Sequence, residues 1–161
     1  MEKSAAEDTI RASMAVMSFH DLPQGQARDL DLSDHTHAAD AIDLITLIED
    51  RELGCFSAML CDEQNRGVQP VCLNEIGPGQ SAEVMAELLR LVLPLLSQSG
   101  GSILLGRGRV GPLRATDEDR KWHQRAIDLC REHDVKLLGF HVATPEGVRR
   151  LPDPLVASDV A

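Results

Sequence analysis

The sequence has few aromatic residues and no long apolar run. Phenylalanine and tryptophan together make up 2% of the 161 residues, and tyrosine is absent. The core must therefore be aliphatic, and a nucleic-acid surface that stacks bases on aromatic rings is disfavoured. No apolar stretch reaches the roughly 18 residues of a membrane span. The first 20 residues lack the basic and apolar regions of a signal peptide, so we expect a cytoplasmic protein with no membrane contact.

Cysteine is scarce and is not arranged as a metal-binding or disulfide framework. The four cysteines are Cys55, Cys61, Cys72 and Cys130, and none belongs to a C-x-x-C pair. This spacing argues against a zinc ribbon. Three of them fall in apolar runs, where cysteine usually acts as a small hydrophobic residue.

Basic residues are outnumbered, most strongly in the N-terminal third. The formal net charge is −10, and residues 1–53 carry 12 acidic residues against 4 basic ones. An acidic chain binds phosphate backbones poorly, so direct nucleic-acid binding is not expected. The same excess could steer a basic protein partner toward the chain.

The spacing of apolar residues predicts a single α/β domain over residues 33–151. It lies between a flexible N-terminal arm, residues 1–32, and a C-terminal tail, residues 152–161. Within the arm, residues 14–19 are interpreted as a short helix or a docking segment. Helices are predicted from residue 33 or 34 to about 53, from 81 to about 98 and from 116, and strands at 55–61, 68–73, 102–105, 136–142 and 148–151. This alternation favours a mixed sheet flanked by helices, in two or three layers.

Two local patterns are weak candidates for chemistry. His35 and His37, with Asp34 and Asp40 nearby, resemble a metal cluster. Residues two apart diverge on a helix, so we interpret this segment as a solvated helix start. No G-x-S-x-G motif is present, and we assign no catalytic residue. His141 lies in an apolar strand and is interpreted as a core or edge histidine.

A glycine- and arginine-rich loop, residues 106–115, is the strongest candidate for a binding site. Its first six residues match G-x-G-x-x-G, but the following helix starts too late to receive a pyrophosphate, so no dinucleotide cofactor is expected. Arg107, Arg109 and Arg114 with backbone amides could bind an anion. The alternative is a flexible connector in which Asp119 pairs with an arginine or caps the helix. We expect the loop at the carboxyl end of strand 102–105, and we expect it to become ordered when an anion binds.

Several stretches in order resemble one known family. They are Leu60 to Arg66 as a hairpin, Ser81 to Val84 before an aliphatic helix, Ser102 to Leu105 as a strand, Thr116 to Asp119 at a helix start, and Leu137 to Val142 followed by Gly147. Over residues 55–151 this order resembles the RadC branch of the JAB/MPN metal-dependent isopeptidase-like domains. The resemblance implies a JAB/MPN-type or cytidine-deaminase-like three-layer sandwich. RadC-like proteins have been linked to DNA contexts, so it also implies a weaker DNA-associated role.

The departures from that family imply a loss of its chemistry. Counting back from Thr116 places the two histidines of the family's metal loop at Gly106 and Gly108. The loop glycine is kept as Gly111, and the third ligand is kept as Asp119. One carboxylate cannot hold zinc, which needs about three protein ligands. The resemblance therefore implies a degenerate metal loop and a pseudo-enzyme without a metal or other cofactor.

Two functions follow as hypotheses. The first is a non-catalytic RadC-like domain that binds a protein partner. The second is a protein or enzyme that binds a small molecule, a nucleotide or another anion with the loop at residues 106–115. The chain is also a candidate homodimer, because symmetric dimers are the commonest oligomers.

Overall fold

A computed structural model describes residues 14–16, 30–77 and 79–154 of the chain. Strands and helices alternate along most of this length. The elements are β1 (Met14–Val16), α1 (His35–Ile45), α2 (Ile48–Leu53), β2 (Cys55–Cys61), β3 (Gly67–Asn74), α3 (Glu83–Ser99), β4 (Ser102–Gly108), α4 (Asp117–Glu132), β5 (Lys136–Thr144) and β6 (Gly147–Arg150).

One six-stranded sheet forms the centre of the molecule, in the order β1-β3-β2-β4-β5-β6. Strands β4 and β5 are parallel, and the other neighbours are antiparallel. A helical crossover, α4, connects the parallel pair, as such a pair requires. The predicted α/β class with a mixed sheet is confirmed.

Helices cover both faces of this sheet, which gives three layers. Helices α3 and α4 cover one face, where Phe56, Trp122 and Phe140 lie among aliphatic side chains. On the other face, Ala38, Ile42 and other apolar residues of α1 pack against the sheet. Because side chains alternate along a strand, each inner strand supplies both cores.

The N-terminal helix is divided where the sequence predicted one continuous helix. Helix α1 ends at Ile45, and α2 begins at Ile48. The guanidinium of Arg51 folds back across this break and donates to the backbone oxygens of Asp43 and Thr46. It also donates to the Asp43 carboxylate and to the backbone oxygen of Thr144 on β5. Arg51 is only 1% exposed, so it joins both helices to the sheet from inside the protein.

One strand boundary also differs from prediction. Strand β4 continues through Gly108, so the first three residues of the predicted loop belong to the sheet. Helix α3 passes through Pro94 without a break and ends close to the predicted position. The predicted cap at Asp34 is present, since its side chain accepts hydrogen bonds from the amides of Thr36 and His37.

The predicted arm and tail fall largely outside the described residues. Of residues 14–19, Met14–Val16 form a strand paired with β3 rather than a short helix, and residues 17–19 lie outside the described part. In the predicted tail, residues 155–161 also lie outside it.

Candidate functional site

The carboxyl end of β4 meets the first turn of α4. Thr116 is the N-cap of α4, and its side chain accepts a hydrogen bond from the amide of Asp119. The Asp119 carboxylate accepts one in return from the amide of Thr116 at 2.9 Å. This reciprocal pair of hydrogen bonds is a capping box, and it fixes the carboxylate beside the end of β4.

Two arginines of the β4 end converge on that carboxylate. Arg107 donates from Nη1 to Oδ1 of Asp119 at 2.8 Å, and Arg109 donates from Nη2 to Oδ2 at 2.7 Å. Asp119 is fully buried, whereas the arginine side chains are 11% and 13% exposed. The predicted pairing of Asp119 with arginine and its capping role therefore occur together.

Arg109 also holds the loop that follows β4. Its Nη1 donates to the backbone oxygens of Val110 and Pro112, and its Nη2 donates to that of Arg114. With Nε directed at Asp119, every N–H direction of this guanidinium has an acceptor in the protein. Arg109 is thus a structural cation at the centre of the loop.

In the part of the chain that the structure describes, Arg107 has fewer hydrogen-bond partners than Arg109, so some of its N–H groups remain available. Its guanidinium carbon lies 4.6 Å from the ring centroid of Trp122, within the range of a cation–π contact. Among the described residues its side chain makes one hydrogen bond, the one from Nη1 to Asp119. Arg107 also lines an open cleft of about 360 Å³ between the ends of α2, β4 and α4.

The ionisation of Asp119 is set by these partners. Burial alone raises the pKa of this carboxyl, but hydrogen bonds from Arg109 and from the Thr116 amide outweigh burial and hold the pKa below its usual value. A carboxyl of this kind remains ionised at neutral pH. It is therefore a poor candidate for a general acid.

Side chains at Gly106 and Gly108, the two positions matched to metal-binding histidines, would lie on the face of the sheet away from Asp119. A Cβ on Gly106 would meet the side chain of Ile42, and one on Gly108 would overlap the Sγ of Cys55. The JAB/MPN resemblance matched these two positions to histidines that would share a metal ion with Asp119. In the structure, side chains at these positions would point toward α1 and α2 instead. Arg107 on β4 and Arg109 just after it are the residues that face Asp119. The residues present therefore do not fit a zinc site.

The other candidate ligands do not form a site either. Within the described part of the chain, no group of three or more histidine, cysteine or acidic side chains is placed to hold a metal ion. At the start of α1, His35 is exposed, as the interpretation of a solvated helix start predicted, whereas His37 is half-buried. Burial raises the pKa of Cys55, Cys61 and Cys130 to about 12, so these thiols are protonated and unreactive at neutral pH.

The structure separates the three arginines proposed for anion binding. Arg107 and Arg109 come together at Asp119, but Arg114 is exposed and contributes its backbone oxygen rather than its guanidinium. The sequence also gave no indication of the aliphatic wall of the cleft, formed by Leu53, Ile76 and Val110. Leu53 and Val110 are 60% and 59% exposed, so their only sequence signal was an apolar residue outside a core stripe.

None of the helices in residues 30–77 and 79–154 is both long and apolar enough to cross a membrane.

Comparisons with known proteins identified no relative of this chain. The chain matches no family model, no curated protein and no solved structure.

Proposed function

We propose that the chain is a non-catalytic, RadC-like domain that binds a basic protein partner on the outer surface of α1 and α2. One observation carries this proposal. Of the seven large hydrophobic side chains that are clearly exposed in the described residues, three lie in the short segment 47–53, namely Leu47, Ile48 and Leu53. Exposed apolar groups clustered among polar ones are typical of protein-binding surfaces.

Most of the charged side chains on α1 and α2 are acidic. Helices α1 and α2 carry five acidic residues, Asp40, Asp43, Glu49, Asp50 and Glu52. Their one arginine, Arg51, is buried and directed into the protein. The surface therefore favours a segment that combines lysine or arginine with aliphatic side chains. It disfavours pairing with the same surface of a second copy.

The site at the end of β4 supports the non-catalytic part of the proposal. Both oxygens of Asp119 are engaged by guanidinium groups, and Gly106 and Gly108 supply no ligand. The RadC-like part of the proposal rests on the resemblance of residues 55–151 to that family in sequence.

A synthetic amphipathic helix of leucine and lysine tests this function. We expect saturable binding by fluorescence anisotropy, with an affinity that falls as salt is added. The double variant Leu47→Ser, Ile48→Ser, which leaves the cleft residue Leu53 in place, should bind at least tenfold more weakly. The matched control is Leu91→Ser, Leu95→Ser, which removes two equally exposed leucines from α3.

Three outcomes would overturn the proposed function. They are no binding of the lysine peptide, equal losses in the two double variants, and equal binding of a peptide with glutamate in place of lysine. Light scattering on the chain without peptide measures its oligomeric state separately. A dimer that is lost in the Leu47→Ser, Ile48→Ser variant would assign this surface to a second copy instead.

A further inference from the structure

The cleft at the end of β4 combines aliphatic walls with a guanidinium. Leu53 from α2, Ile76 from the segment after β3 and Val110 from the loop after β4 form its apolar side. Arg107 and Arg109 lie at its polar side. A cavity with apolar walls and few polar groups is the usual form of a small-molecule site.

The two arginines have different capacities to bind a ligand. Arg109 donates to Asp119 and to three backbone oxygens of its own loop, so it has no direction left for a ligand. Arg107 uses only Nη1 among the described residues. Its guanidinium is positioned by Trp122 and Asp119, so little conformational entropy remains to be lost on binding.

The shape and charge of the cleft limit the ligand. A planar guanidinium matches a carboxylate through paired N–H donors. Glu52 and Glu118 also line the cleft, and their charges oppose an anion that carries more than one negative charge. The aliphatic walls favour a ligand whose remaining atoms are apolar.

We infer that the cleft binds a monocarboxylate with a short, branched aliphatic body, the carboxylate on Arg107 and the body against Leu53, Ile76 and Val110. This ligand site goes beyond the proposed protein-binding surface. The chemistry fits a free branched-chain acid and also the C-terminal leucine of a peptide.

Titration calorimetry with four probes tests the inference. We expect 4-methylpentanoate to bind, and 4-methylpentanamide and inorganic phosphate to bind at least tenfold more weakly. Acetyl-Ala-Ala-Leu with a free carboxylate distinguishes the two sources. Tighter binding than 4-methylpentanoate assigns the cleft to a peptide end, and weaker binding assigns it to a free acid.

Variants locate the binding site. Arg107→Met should weaken acid binding at least tenfold, and it should still fold because Asp119 keeps its hydrogen bonds from Arg109 and Thr116. Val110→Asp, at an exposed position, should weaken it through like-charge repulsion. Arg114→Met is the matched control and should bind as the original chain does.

The inference fails if neither acid binds, if the amide binds as well as the acid, or if Arg107→Met matches Arg114→Met. These results are distinguishable from failure of the proposed function, which is measured with the lysine peptide and the Leu47→Ser, Ile48→Ser variant.

Discussion

Arg109 donates three hydrogen bonds to Asp119, from Nε to both carboxylate oxygens and from Nη2 to one of them, at 2.7 to 3.2 Å. The pair joins the end of β4 to the first turn of α4. Removing one partner of a buried ion pair leaves an unpaired buried charge and strongly lowers the stability of the protein. Replacing the whole pair with apolar residues costs much less.

Replacing Asp119 with alanine should therefore be strongly destabilising. The substitution leaves two arginine side chains of low exposure without their anion and also removes the capping box of α4. We expect a loss of about 3–5 kcal/mol in the free energy of unfolding by urea denaturation. Asp117→Ala, in the same turn but 96% exposed, should change it little. Similar losses in both variants would contradict a special role for Asp119.

The stability of the protein should fall in mild acid partly because of His141. Burial lowers the pKa of His141 to about 4 from an ordinary value of 6.5, so the unfolded chain takes up the proton first as pH falls. Its contribution is present above pH 6.5 and is lost toward pH 4, with about 2 kcal/mol lost by pH 5. His141→Gln should show a correspondingly smaller loss between pH 7 and pH 5. Equal losses in both proteins would show that His141 does not contribute.

Arg51→Met should destabilise the α1–α2 unit. Methionine fills part of the space but cannot donate to the backbone oxygens of Asp43, Thr46 and Thr144. Leaving buried acceptors unpaired costs about 1–3 kcal/mol each, and partial access of water reduces the sum, so we expect a loss of about 3 kcal/mol in the free energy of unfolding. Arg149→Met, on exposed β6, is the control and should change it by less than about 0.5 kcal/mol. A neutral Arg51→Met would show that water replaces the guanidinium.

Gly108→Ala should cost about 1–3 kcal/mol by overpacking. The added methyl group would overlap the Sγ of Cys55 and press on the side chain of Thr46. Gly77→Ala, where a Cβ meets nothing within 4 Å, should leave thermal unfolding unchanged. A Gly108→Ala protein with unaltered stability would show that this face of β4 has room for a side chain.

Much of the fold was predictable because local signals agree with the packing. The capping box at Thr116, the turn after β2 and the apolar runs of β2 and β5 all act over a few residues. The break between α1 and α2 was not predictable in this way. No proline or glycine marks it, and it is held by Arg51, whose partner Thr144 lies 93 residues away.

The candidate site was predicted in position but not in detail. The loop lies at the end of β4 beside α4, as expected. The sequence predicted that the strand ends at residue 105, because glycine normally weakens strands and residues 106 and 108 are glycines. Here Gly106 allows the side chain of Ile42 to approach the sheet closely. Once the strand extends to Gly108, the alternation of side chains decides which residues face Asp119, and this alternation could not be assigned while the segment was interpreted as a loop.

The side chain of Arg109 holds the loop after β4 in its shape without an external ligand. The expectation was that an external anion would order this loop, but its backbone oxygens already surround an internal cation. A loop closed around a side chain has little conformational freedom left to lose. Its backbone should show high NMR order parameters in the free chain, and a ligand that enters the cleft should find a surface already formed.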